Sequence, residues 1–166
     1  SKGMTTWKEY TNEMDSADPA TMESVLKEIV QKFPSEKYSL ILWSHGSGWM
    51  DDPNNSRAII VDNNKNSFSD IGNWLNISEL SDILASLPRM EYIFFDACYM
   101  QSVEVASQLY NHTPYIIGSP TEIPGEGAPY HHIMGALCQA NPQGIINGYA
   151  SYYGTSKGVL LSAISC

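Results

Sequence analysis

Short, nearly continuous apolar runs alternate along this chain with amphipathic stretches, and that alternation constrains its fold more than any other feature. Residues 38–43 (Tyr-Ser-Leu-Ile-Leu-Trp) and 92–95 (Tyr-Ile-Phe-Phe) read as strands buried on both faces, the pattern of a parallel sheet covered on each side. Residues 57–61, 115–117 and 159–164 are further strand candidates. Asp18-Pro19 is a helix-start signal, and Met22, Val25, Leu26, Ile29, Val30 and Phe33 follow at helical spacing until Pro34 stops them. Helices are also expected from Ser78 to before Pro88, from Ser102 to Tyr110, over 130–140 and over 143–155. Helices between short buried strands predict an α/β fold with a mainly parallel sheet.

No repeat, low-complexity tract or linker divides the 166 residues, so 1–166 is expected to be a single domain. The chain is 43% hydrophobic and 16% charged, which excludes a disordered segment. Nine Lys and Arg against eighteen Asp and Glu leave a net charge of -9, and no basic cluster exists, so no nucleic-acid surface is expected. An acidic surface favours basic partners instead. No apolar run approaches the ~20 residues of a membrane span. Cys98, Cys138 and Cys166 are too few for a disulfide framework. The chain stops at Cys166 directly after an apolar strand pattern, which reads as a piece of something longer.

In parallel sheets, ligands bind beyond the carboxyl ends of the strands. Ser44-His45-Gly46-Ser47-Gly48 follows one buried strand, and Asp96-Ala97-Cys98 follows another. A thiol beside an imidazolium or a helix N-terminus ionises readily, so Cys98 and His45 form a candidate nucleophile and base, with the helix near Ser102 beneath the thiol. The amides of Gly46 and Cys98 are candidate oxyanion donors. The structural alternative stays open at this point: a cysteine after a buried strand is commonly a small core residue, and a histidine in a turn commonly structural.

Residues 40–49 (Leu-Ile-Leu-Trp-Ser-His-Gly-Ser-Gly-Trp) and 94–100 (Phe-Phe-Asp-Ala-Cys-Tyr-Met), followed by residues 103–106, resemble the two motif blocks of the clostripain family of caspase-like cysteine peptidases. Residues 115–119 with 122–125 resemble the segment that follows, so the matching blocks run from about 38 to 127. The resemblance implies a caspase-like three-layer sandwich, truncated here at both ends and completed by a second chain or a missing segment. It implies an endopeptidase acting on protein or peptide substrates after Arg or Lys, with Cys98 as nucleophile and His45 as its partner. Asp96 occupies the family's position for the carboxylate that pairs with the substrate cation, its alternative being a cap on the helix after Cys98. Glu126 is a second acidic candidate. The resemblance also implies a bacterial exported enzyme, and members of the family can be matured by cutting the loop between the blocks, though the continuous chain argues against obligatory cutting here. Arg57 and Lys65 are the basic positions there, Lys65 the more accessible. The competing readings are a catalytically silent peptide-binding module of the same fold and a cysteine hydrolase acting on non-peptide amides.

Other signals are weaker. Asp62-x-Asn64-x-Asn66 with Asp70 spaces oxygen ligands as in a calcium loop, but lacks its glycine, and Asn73 stands where a Glu is required. Calcium dependence occurs in the resembled family, so calcium is the one cofactor entertained, and no metal ligand is assigned. His131 and His132 are expected on different helix faces, which disfavours zinc. No third glycine follows Gly46-x-Gly48 or Gly125-x-Gly127, and no Gly-x-Ser-x-Gly elbow exists, so dinucleotide binding and serine hydrolysis are disfavoured. Trp49, Trp74 and Tyr130 are aromatic candidates for a cleft or for the core.

Overall fold

A computed structural model describes residues 5–11, 14–49, 60–62, 73–154 and 160–166. Helix α1 (Pro19–Lys32) begins where Asp18 accepts a 2.7 Å hydrogen bond from the Thr21 amide and Pro19 presets the first turn. Strand β1 (Tyr38–Trp43) follows, then a two-stranded antiparallel ribbon of β2 (Ile60–Asp62) and β3 (Asn73–Leu75). Helix α2 (Ile77–Ala85) is opened by a capping box between Asn76 and Glu79. It leads into β4 (Met90–Asp96), α3 (Val103–Leu109) and β5 (Tyr115–Gly118). Helices α4 (Tyr130–Cys138) and α5 (Pro142–Tyr153) precede the last strand, β6 (Ser162–Ser165).

The main sheet has the order β1-β4-β5-β6. Strands β1, β4 and β5 are parallel, and β6 runs antiparallel to β5. The predicted mainly parallel α/β sheet is therefore present, with β6 reversing direction at its edge. On one face Leu42, Ile93, Phe95 and Ile116 pack with α2 and α3 residues such as Leu80, Ile83, Leu84 and Leu109. On the other, Tyr92, Phe94 and Ile117 pack beneath Ile133 and Leu137 of α4 and Ile145 and Tyr149 of α5. Each large side chain that β4 buries completely contributes roughly 1.5–3 kcal/mol relative to exposure, so this strand anchors both layers.

Several expectations change. Strand β1 is buried on one face only: Ile41 and Trp43 are exposed, because α4 and α5 cover β4 and β5 and leave β1 open on that side. Helix α1 has no fully buried residue; Met22 and Leu26 touch the core, while Ile29 and Phe33 face outward. The strand placed at 57–61 is described only from Ile60, and its partner β3 falls where no element was expected. Arg57, Lys65 and the Asn64–Asp70 part of the calcium-like loop lie outside the described residues.

Candidate active site

The register of β1 on β4 decides where the chemistry meets. Trp43 pairs with Asp96, so the two strands end level. A 3.4 Å bond from the Ser44 amide to the Asp96 carbonyl carries the ladder one step further. His45 and Cys98 each stand two residues beyond that pair, and both line one cavity of about 430 Å³. His45 is exposed and Cys98 half-buried. The loops carrying them are in close contact: a Cβ on Gly46 would lie 2.5 Å from the Cys98 carbonyl oxygen and 2.9 Å from the Met100 sulfur. Glycine is the residue that lets these two backbones approach so closely.

The turn after Cys98 is strained and firmly held. Tyr99 adopts φ 61°, a left-handed conformation that L-residues avoid at a cost of roughly 1–2 kcal/mol. Its amide donates to the Thr121 carbonyl at 3.1 Å, and its hydroxyl donates to Glu122 Oε1 at 3.1 Å. The Gln101 amide donates to the Ser119 carbonyl at 3.0 Å. These bonds lay the segment after β5 against the Cys98 loop, and at its end the Ile123 amide donates to Cys98 Sγ at 3.4 Å. Helix α3 begins only at Val103, with Ser102 accepting from the Val105 amide at 3.2 Å.

Ser102, and not Asp96, thus caps α3. The Asp96 carboxylate turns the other way and is only 1% exposed. Its Oδ2 accepts from the Ala128 amide at 2.9 Å and from the Tyr130 hydroxyl at 2.8 Å. Its Oδ1 is buried without a hydrogen-bond partner. Burial pushes the Asp96 pKa above the ordinary carboxylate value, outweighing the two hydrogen bonds that pull it down. Burial, reinforced by the Asp96 carboxylate, likewise raises the Tyr130 hydroxyl. Tyr149, behind the same site, has a buried hydroxyl with no partner.

Gly127 closes the cavity wall. It has φ 71°, and a Cβ there would sit 2.9 Å from Asp96 Oδ2 and 3.0 Å from Trp43 Nε1. Tyr153 donates a short hydrogen bond to its carbonyl, tying the 124–128 turn to α5. Trp43, Asp96, Ile123 and Pro124 line the cavity beside His45 and Cys98. Glu126 is exposed on the same turn and does not line it.

Of the aromatic candidates, Tyr130 reaches the site through Asp96, while Trp49 and Trp74 do not line the cavity. The residues that sequence reasoning missed are Trp43, the Ile123 amide and the tyrosines of α5. Trp43 and Ile123 lie inside the resembling blocks 40–49 and 122–125, whereas the α5 tyrosines carried no signal. His131 and His132 depart from expectation: their rings lie 4.7 Å apart, and each packs against Tyr152. Among the described residues, no group of three His, Cys, Asp or Glu side chains is placed to hold a metal ion. No described helix is long and apolar enough to cross a membrane.

The chain resembles proteins of known structure and sequence. A secreted C11 cysteine protease from Bacteroides thetaiotaomicron, solved with an irreversible peptide inhibitor, superposes with a TM-score of 0.78 at 36% identity, over 92% of this chain and 46% of that one. An inactive zymogen C11 protease from Parabacteroides distasonis superposes with a TM-score of 0.74 at 32% identity, over 95% and 42%. Clostripain from Hathewaya histolytica is 30% identical over 98 residues, 58% of this chain and 19% of that protein. The chain thus spans less than half the length of these relatives. The three-layer, mostly parallel sandwich is the caspase-like fold of these C11 proteases. The clostripain family model matches residues 4–165, and the chain belongs to the clostripain family.

Proposed function

We propose that this chain carries the catalytic centre of a cysteine endopeptidase that cleaves after Arg or Lys. The observation that supports it best is the convergence of His45, Cys98 and the buried Asp96 carboxylate on one cavity. The Cys98 thiolate attacks the peptide carbonyl carbon, and the amides of Gly46 and Cys98 stabilise the oxyanion. His45 protonates the leaving amine as the C–N bond breaks, giving a thioester acyl-enzyme. Water, deprotonated by His45, then attacks the thioester and releases the carboxylic acid and the thiolate.

Substrate choice follows from burial. A carboxylate held out of water with an unpartnered oxygen gains most from a cationic side chain that enters the cavity beside it. The net charge of -9 draws such substrates towards the surface. The Bacteroides relative is described as secreted, which supports export for the protein containing this chain.

Cys98→Ala is expected to abolish hydrolysis of peptide reporters ending in Arg or Lys, with the fold retained by circular dichroism. Turnover near the wild-type rate by a folded variant contradicts the assignment. A wild-type protein that binds such peptides without cleaving them favours the peptide-binding module instead.

A further inference from the structure

We propose that Tyr130 sets the cation selectivity of the pocket by occupying one oxygen of Asp96, so that the substrate cation is received by a single acceptor. The inference rests on the reading that Asp96 binds the side chain before the cleaved bond, and it deepens that reading.

A carboxylate offers two oxygens, each with two lone-pair directions in its plane. The fork of an arginine is strongest when it takes one acceptor position from each oxygen. Asp96 does not present that edge. Both acceptor directions of Oδ2 are engaged, by the Ala128 amide at 2.9 Å and by the Tyr130 hydroxyl at 2.8 Å. Oδ1 is buried and has no partner. It is the one acceptor whose capacity the protein leaves unspent.

A lysine ammonium is a compact charge that needs one good acceptor, and it is served fully by Oδ1. A guanidinium reaches the same oxygen with one arm only. The two-pronged advantage that lets arginine outcompete lysine at an open carboxylate is therefore cancelled here, and the pocket accepts both. Tyr130 is the tunable element, because the Ala128 contact is made by backbone.

Two measurements on the full-length protein test this. In the wild type, a reporter with arginine before the cleaved bond is compared with one carrying Nω-methylarginine, which keeps the charge but blocks bidentate pairing. The expected loss in kcat/KM is less than about threefold; a loss of tenfold or more reveals a fork contact and overturns the proposal. In Tyr130→Phe, the freed Oδ2 is expected to raise the arginine-to-lysine ratio of kcat/KM about tenfold, the equivalent of one added hydrogen bond to a charged group. The methylarginine penalty should appear with it. A folded variant whose ratio is unchanged overturns the proposal even if both substrates are cut more slowly, since that pattern marks simple structural support. If Tyr130→Phe does not fold, the wild-type comparison decides. An enzyme that cleaves after uncharged citrulline as fast as after arginine defeats the Asp96 reading itself. A retained cation preference with the wrong methylarginine response defeats only the role given to Tyr130.

Discussion

Replacing Gly46 with alanine adds one methyl group where the loops after β1 and β4 touch. The new carbon would lie 2.5 Å from the Cys98 carbonyl oxygen, 2.9 Å from Met100 Sδ and 3.0 Å from Met100 Cγ. Ordinary non-bonded contact is ~3.5 Å or more, so the loops must separate by about 1 Å or distort. Met100 is fully buried and can yield little, and the carbonyl belongs to the backbone of Cys98 itself. Overpacking of this kind costs roughly 1–3 kcal/mol in stability. The kinetic consequence is larger, since a displacement of about 1 Å between reacting groups can cost ~100-fold in rate. Alanine keeps the Gly46 amide, so a loss reports the spacing of His45 and Cys98 and not the removal of an oxyanion donor. The assay is kcat/KM on a basic peptide reporter beside the urea midpoint. Gly135→Ala is the control: in α4 its Cβ meets nothing within 4 Å, and helix propensity predicts a gain of about 0.5–1 kcal/mol. A Gly46→Ala enzyme within twofold of wild-type kcat/KM would refute the reasoning that this contact sets the catalytic spacing.

Asp96→Asn is expected to lower kcat/KM on basic reporters by about 10–100-fold, the loss of a hydrogen bond to a charged acceptor, and to shrink the preference for basic over neutral peptides; an unchanged preference contradicts the pocket assignment. The pKa of Asp96 is raised by burial above its unfolded value, so its contribution to stability is complete below the unfolded pKa and is lost as pH rises through the folded pKa. Asp96→Asn removes that loss, and its stability relative to wild type should improve as pH climbs through the acid range towards neutrality; a relative decline over that window in thermal melts contradicts the sign. Tyr149→Phe deletes a buried hydroxyl that has no partner, so it should be neutral or stabilising by up to ~1 kcal/mol; a loss of 2 kcal/mol or more in urea unfolding would mean the hydroxyl is satisfied in solution.

The elements that place the chemistry were legible because they are local. The apolar runs of β1 and β4 mark the strand ends at Trp43 and at Phe95, the second one residue short of the observed end at Asp96. The direction of β6 was not legible, since an apolar run does not say which way its strand lies beside a neighbour. The β2–β3 ribbon escaped notice because β3 is a three-residue strand, Asn-Trp-Leu, following an Asn-rich stretch. The open face of β1 shows the limit of pattern reading: Ile41 and Trp43 read as core, and only the positions of α4 and α5 reveal that nothing described covers them. Asp96 was found by its place in a motif, but its state was not. The Tyr130 hydroxyl comes from 34 residues away, and pairing at that range is a product of the fold. The same holds for His131 and His132, which were expected on separate faces and meet because Tyr152 of α5 packs against both.

The central claim, that Cys98 is the nucleophile activated by His45, is tested most directly by mass spectrometry after treatment with a peptide acyloxymethyl ketone ending in lysine. Cys138 and Cys166 are both exposed, and Cys98 is only half-buried, so accessibility alone favours the other two. The account predicts one adduct, on Cys98, formed far more slowly in His45→Ala. Labelling that spreads to Cys138 and Cys166, or that proceeds on Cys98 at the same rate without His45, would contradict it.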